Sequence, residues 1–189
     1  MPGLRYNTGM PREQTATIWI SDMAGFTVMT HLHGARAVMD KVFGMREALS
    51  EAVRAHRGHI FKCVADDVFA IFDSPLQALQ AAGEAHRRLD EGTQICVGIG
   101  HGPLMLFPGE EDYFGMEVNL ASKLGEDTAE QGEVLLTDAA YRGLPEPYRH
   151  ACEGPHVLPV KRFEFHYYRL SGPLIEGRPT VTLPPGEEA

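Results

Sequence analysis

Short runs of β-branched and aromatic residues recur along this chain, and two long stretches of helical periodicity lie between them. "TATIWIS" (15–21) alternates as a strand does, and "DMAGFT" after it reads as a turn leading into a helix. From about residue 35 to 57, Val38, Val42, Met45, Leu49 and Val53 repeat every three or four residues, which marks one helical face ended by Gly58. "HIFKCV" and "VFAIF" predict two short strands joined at "ADD". "SPLQALQAAGEAHRRL" predicts a helix with Ser74 as N-cap and Pro75 at its first position.

"QICVGIGHG" predicts a strand that turns glycine-rich, with "LMLF" as a further strand and "PGEED" as a turn. "GMEVNLASKLGED" predicts a helix, "GEVLLT" a strand, and "TDAAYRGL" a short helix capped by Thr137 or Asp138. "HVLPV" and "RFEFHYYRL" close the pattern as a hairpin. The order is strand, helix, hairpin, helix, strand, helix, strand, with no internal repeat. It predicts an α+β sandwich of the ferredoxin type, with helices packed on one side of a mainly antiparallel sheet. Residues 1–14 read as an N-terminal arm, 15–170 as the single domain and 171–189 as a disordered, proline-rich tail.

The 189 residues are 43% hydrophobic, enough for a full core, and carry a net charge of −9. That charge argues against nucleic-acid binding. It leaves room for an anionic small substrate, because bound cations reverse a local field. Cys63, Cys96 and Cys152 form no CxxC pair and read as buried thiols of a reduced protein. No apolar run is long enough to span a membrane, and "MPGLRYNTGMPREQ" has no signal-peptide core, so the expected location is cytoplasmic.

Two carboxylates stand at predicted strand ends, Asp22 after "IWIS" and Asp66 after "KCV". Neighbouring strands would bring them together as a magnesium or manganese site completed by substrate phosphates. Asp67 is then expected to turn outward and cap the turn. Gly25 and the backbone N–H groups after it, at a helix start, suit a phosphate. The alternating pair His31 and His33 has no third ligand in register and reads as surface. His101 reads as a solvated strand-end residue.

"SDMAGFT", "KCVADD", "VGIGHGP" and "DYFGMEVNLASKL" stand in the order in which class III nucleotidyl cyclase catalytic domains carry them, and the chain resembles that family over roughly residues 15 to 170. The resemblance implies that Asp22 and Asp66 bind two Mg2+ or Mn2+ ions. It implies that Lys62 and Asp112 read adenine, that Asn119 orients the ribose, that Lys161 meets the triphosphate, and that Phe26 and Thr27 belong to the phosphate turn. The implied activity is conversion of ATP to 3′,5′-cyclic AMP and pyrophosphate by a homodimer whose active sites lie at the subunit interface. Three departures stand out. Lys123 replaces the usual arginine and loses its bidentate fork, Ala65 replaces a glycine, and the 102–112 segment is short. The first and last of these leave open an alternative, a catalytically weak cyclase-homology module that binds nucleotide or a partner and acts as a regulator.

Overall fold

Strand β1 (Arg12–Met23) is the axis of the molecule, and its alternation decides where the other elements pack. The computed structural model describes residues 10–106 and 112–171. The chain continues through α1 (Phe26–His33), α2 (Ala35–Ala55), β2 (His59–Val64), β3 (Asp67–Phe72), α3 (Pro75–Arg88), β4 (Ile95–Leu106) and β5 (Tyr113–Phe114). Helix α4 (Met116–Ser122) passes directly into a π-helical segment, π1 (Lys123–Thr128). Strand β6 (Val134–Thr137), helices α5 (Asp138–Arg142) and α6 (Glu146–Arg149), and strands β7 (Cys152–Val160) and β8 (Phe163–Leu170) complete it.

The sheet runs β2-β3-β1-β4-β6-β8-β7, with β5 paired to β4. Every pair is antiparallel except β4 with β6, so the expected mainly antiparallel α+β sheet is what forms. Successive side chains of a strand point to opposite faces. Trp19 and Met23 join Val42, Met45 and Leu49 of α2 and Leu79 of α3 in the larger core. Ile18 and Ile20 face the other way and join Ala121 of α4. Helices therefore cover both faces, not one, and "TIWI" is buried on both sides. Each fully buried Leu or Met contributes roughly 1.5–3 kcal/mol.

Several boundaries differ from the sequence reading. β1 begins at Arg12, so residues 12–14 of the expected arm are strand, and it continues through Asp22. A separate helix α1 carries His31 and His33, and Gly34 (φ 78°) divides it from α2. Leu104, Met105 and Leu106 of "LMLF" continue β4 without a break, because β4 pairs with β1 as far as Leu106. His101 lies inside β4, with Nδ1 2.9 Å from Thr17 Oγ1. Thr137, not Asp138, caps α5. All three cysteines are unpaired, but Cys63 is exposed; only Cys96 is fully buried. Ser74 caps α3 in a reciprocal capping box with Gln77, as its spacing predicts. The expected arm over 1–9, the turn over 108–111 and the tail over 172–189 lie outside the described residues.

The glycine-rich part of β4 has a packing reason that composition did not reveal. Gly98 and Gly100 face α4, opposite Ile20 and Ile18 of β1. A Cβ on Gly98 would lie 1.9 Å from the Ala121 carbonyl oxygen and 2.7 Å from the Gly125 nitrogen, and one on Gly100 would lie 2.5 Å from the Glu117 oxygen. Helix α4 thus rests backbone to backbone on the sheet. Glu117 fastens it there, with Oε2 accepting from Thr137 Oγ1 at 2.6 Å and from the His101 amide at 3.2 Å. Gly98→Ala meets backbone atoms that no rotamer change can move. It is expected to cost about 3 kcal/mol, read as a lowered urea midpoint at unchanged m-value.

Candidate active site

Three groups of predicted site residues form in this fold. The first lies where β1 ends beside the β2–β3 turn. Asp22 shares a face with Ile18 and Ile20, while Ser21 pairs with Val68 of β3. Ala65 and Asp66 form the turn, with Val64 opposite Asp67. Ala65 takes a left-handed φ of 49°, the conformation in which a glycine would be unstrained. Asp66 is buried at 6% exposure, and its carboxyl is in hydrogen-bond contact with that of Asp22.

Burial pushes the Asp22 carboxyl up to about 8, aided by the bond to Asp66 and by the negative charges of Asp66, Asp67 and Glu126. Asp67 is pushed up to about 6 by burial and by Glu126 and Asp66. Asp67 is half-buried within this acidic group, so the expectation that it turns outward fails. Glu126 was not foreseen either. It arrives because Gly125 lets π1 close on β1; an added Cβ there would lie 2.8 Å from the Ile20 carbonyl oxygen.

Two touching carboxylates, one of them driven toward protonation, fit a divalent cation. A cation would remove the repulsion and the need for the proton. Among the described residues no group of three or more His, Cys, Asp or Glu could enclose a metal ion. A cation held by Asp22 and Asp66 would take its remaining ligands from substrate or water. Next to the pair, α1 starts at Gly25 (φ 77°) with no side-chain cap, Phe26 half-buried against the larger core and Thr27 exposed.

The second group joins residues fifty positions apart. Lys62 Nζ donates to Asp112 Oδ2 at 2.7 Å, and lies 5.4 Å from the centroid of the Phe69 ring. Asp112 is fixed from its other oxygen, which accepts from the Tyr113 amide at 3.0 Å. Tyr113 packs edge-on against Phe61, 4.9 Å between centroids. The pair is part-exposed, so it adds at most about 1 kcal/mol of stability and can open for a ligand.

The third group lines a cleft of about 420 Å³ between α4–π1 and the β7–β8 hairpin. Met116, Asn119 and Lys123 form one wall, and Val160, Phe163 and Phe165 the other. Asn119 and Lys123 share this cleft, as one helical turn between them predicts. Asn119 is exposed, since Val118, Leu120 and Ala121 turn toward the sheet and leave it on the open side. Lys123 Nζ is bound to Asp127 Oδ2 at 2.9 Å. Lys161 stands exposed at the hairpin tip with φ 55° and is not part of the cleft wall.

The sequence profile of the adenylate and guanylate cyclase catalytic domain matches residues 9–172. An uncharacterized protein of Mycobacterium tuberculosis is 29% identical over 161 residues, which are 80% of this chain and 41% of that protein. The chain thus spans less than half the length of this relative. Among solved structures, the adenylyl cyclase CyaB from P. aeruginosa superposes with a TM-score of 0.72 at 22% identity, over 87% of this chain and 97% of that one. The guanylate cyclase domain of RhGC from Catenaria anguillulae, in complex with GTP, superposes with a TM-score of 0.73 at 15% identity, over 85% and 98%. The same fold therefore occurs in a cyclase of each base type, and likeness of fold does not choose between them. With the profile spanning nearly the whole described chain and the fold in agreement, this chain belongs to the adenylate and guanylate cyclase catalytic domain family.

Proposed function

We propose that this chain is an adenylyl cyclase, converting ATP to 3′,5′-cyclic AMP and pyrophosphate. The observation that carries the choice of ATP is the Lys62–Asp112 pair at 2.7 Å. It offers one donor and one acceptor side by side. Adenine presents N1 as an acceptor and its 6-amino group as a donor, so the base inserts with both edges matched. Guanine in the same pose sets N1–H against the ammonium and O6 against the carboxylate. A site built this way rejects the mismatched base by up to about 10⁴-fold.

In this reading Asp22 and Asp66 hold two Mg2+ or Mn2+ ions. When bound, such cations lower the pKa of the ribose 3′-hydroxyl and neutralise the triphosphate. Asn119 orients the ribose from the cleft wall. The uncapped start of α1 at Phe26 and Thr27, and Lys161 on the hairpin, take up the phosphates. Lys123 leaves Asp127 to face the α-phosphate. The 3′-oxygen bonds to the α-phosphorus, the bond to the pyrophosphate oxygen breaks, and the hydroxyl proton is released. Catalysis is mainly positioning and charge placement. Met116 and Phe163 are 58% and 56% exposed at the cleft, which supports cover by a second copy of the chain. A homodimer would then complete each site, as is common in the family.

An assay of the four ribonucleotides with Mn2+ tests the base choice. ATP is expected to be the preferred substrate, and Asp66→Ala to abolish turnover without unfolding the protein. A preference for GTP would overturn the adenine reading.

The acid pair also makes a pH prediction. Because the folded Asp22 carboxyl titrates at about 8, above the ordinary 3.8, the fold favours its protonated form. That contribution to stability is complete below the ordinary value and is lost as pH rises through about 8. In EDTA, Asp22→Asn should therefore raise the melting temperature by a few degrees at about pH 9, and the gain should vanish near about pH 4. Mn2+ should stabilise the parent protein near neutral pH but not this variant.

The regulator reading is favoured by one observation, the engagement of Lys123 with Asp127. If Lys123 serves the transition state, Lys123→Ala lowers kcat by roughly 10²-fold at nearly constant KM. Lys123→Arg then matches or exceeds the parent, since the fork adds a second contact. Steady-state kinetics of the two variants decide the matter. Unchanged rates would leave Lys123 a surface charge.

A further inference from the structure

Arg46 lies on α2, outside the motifs that define the site. Its side chain crosses to the β2–β3 turn, where Nη2 donates to the Ala65 carbonyl oxygen. That carbonyl belongs to the peptide joining Ala65 to Asp66. A hydrogen bond there fixes the plane of the peptide, and with it ψ of Ala65 and φ of Asp66. Guanidinium hydrogen bonds are stronger than neutral ones. The Nε of Arg46 is buried and has no hydrogen-bond partner, so that part of the guanidinium is not what anchors it.

The turn needs such a restraint. Ala65 is held at φ 49°, a region that an L residue with a Cβ adopts only under strain. Left to itself, this residue would relax toward negative φ and rotate the peptide that precedes Asp66. Asp66 is almost fully buried, in contact with Asp22, and has little room to recover its place by a rotamer change. Backbone strain persists where surrounding structure over-determines it.

We infer that Arg46 is a positioning residue of the carboxylate pair: its hydrogen bond to the Ala65 carbonyl holds the strained turn that presents Asp66 beside Asp22 for a divalent cation. The inference rests on the metal-binding reading of Asp22 and Asp66. Arg46 touches neither cation nor nucleotide in this account and acts only through Asp66.

The test uses the full chain with Mn2+ as the probe, followed by electron paramagnetic resonance titration, beside urea unfolding in EDTA. Arg46→Met is expected to weaken Mn2+ affinity about 10-fold, the usual scale for losing a group that orients a ligand. Arg46→Lys, which keeps a charged donor, should recover a large part. Placing Ala65→Gly in the Arg46→Met protein should also recover affinity, because glycine holds the left-handed turn without a restraint. A lowered urea midpoint with Mn2+ affinity unchanged would make Arg46 a stability residue only and overturn the inference. Failure of glycine to rescue would overturn the strain account. If Arg46→Met does not fold, Arg46→Lys against the same variant with Ala65→Gly carries the comparison. A parent protein that binds no Mn2+ would overturn the metal reading itself, and this inference with it. Normal binding by the parent and by Arg46→Met overturns the inference alone.

Discussion

The contact on which the site depends is the seating of α4 and π1 on β4. Gly98 and Gly100 present bare backbone to Ala121 and Glu117, and Gly125 presents bare backbone to β1. With side chains at these positions the helix would stand off the sheet by the width of a methyl group or more. The close approach sets two things together. It carries Glu126 toward Asp22, and it fixes the wall of the cleft that holds Asn119 and Lys123. One helix thus links the electrostatics of the acid pair to the geometry of the cleft. The bonds of Glu117 to Thr137 and His101 hold that link in register.

An acidic protein that concentrates further acid at one strand end carries a built-in conflict. The burial and mutual repulsion of Asp22 and Asp66 oppose folding in the absence of a cation. Asp67 and Glu126 deepen the negative field without closing a metal cage. The arrangement suits a site whose cations arrive with an anionic substrate. In the proposed reading, the protein would supply two oxygen ligands and a negative field, and the triphosphate the rest. A cage of protein ligands would hold metal without substrate; an open pair makes metal and nucleotide binding interdependent.

Much of this was legible in the sequence, for physical reasons that can be named. The alternation in "TATIWIS", the three-and-four spacing from Val38 to Val53 and the Ser74–Pro75–Gln77 cap are local signals, and the elements they predict are present. Asp22 with Asp66 and Lys62 with Asp112 were expected as partners and are in contact, while Asn119 and Lys123, one helical turn apart, line the same cleft. What was not legible depended on contacts between distant segments. The burial of β1 on both faces follows from where α4 lies, which no local pattern encodes. Arg46, Glu117 and Glu126 lie outside the residues singled out, and the fold alone brings them to the turn, the sheet and the acid pair. The one available signal was the spacing of Gly98, Gly100 and Gly102, two apart on a strand, which marks a face that something must approach closely.

Lys123, which the resemblance sets where the family carries an arginine, lies in surroundings that suit a lysine. An arginine directs its charge through a planar fork, whereas a lysine ammonium has no preferred direction and needs one imposed. Here the α-helix gives way to a π-helix at this residue. Thr128 Oγ1 donates to the Lys123 carbonyl oxygen at 2.8 Å, and the Ala129 amide donates five residues back to Leu124 at 2.8 Å. Asp127 gives the ammonium an ion-pair partner one turn along the helix. That partner is solvent-exposed, so its hold is screened by water and easily exchanged for a phosphate of higher charge. A buried partner would have fixed Lys123 permanently. An exposed one sets its direction and still lets it go, which is what a single-point charge needs if it is to meet a substrate that comes and leaves.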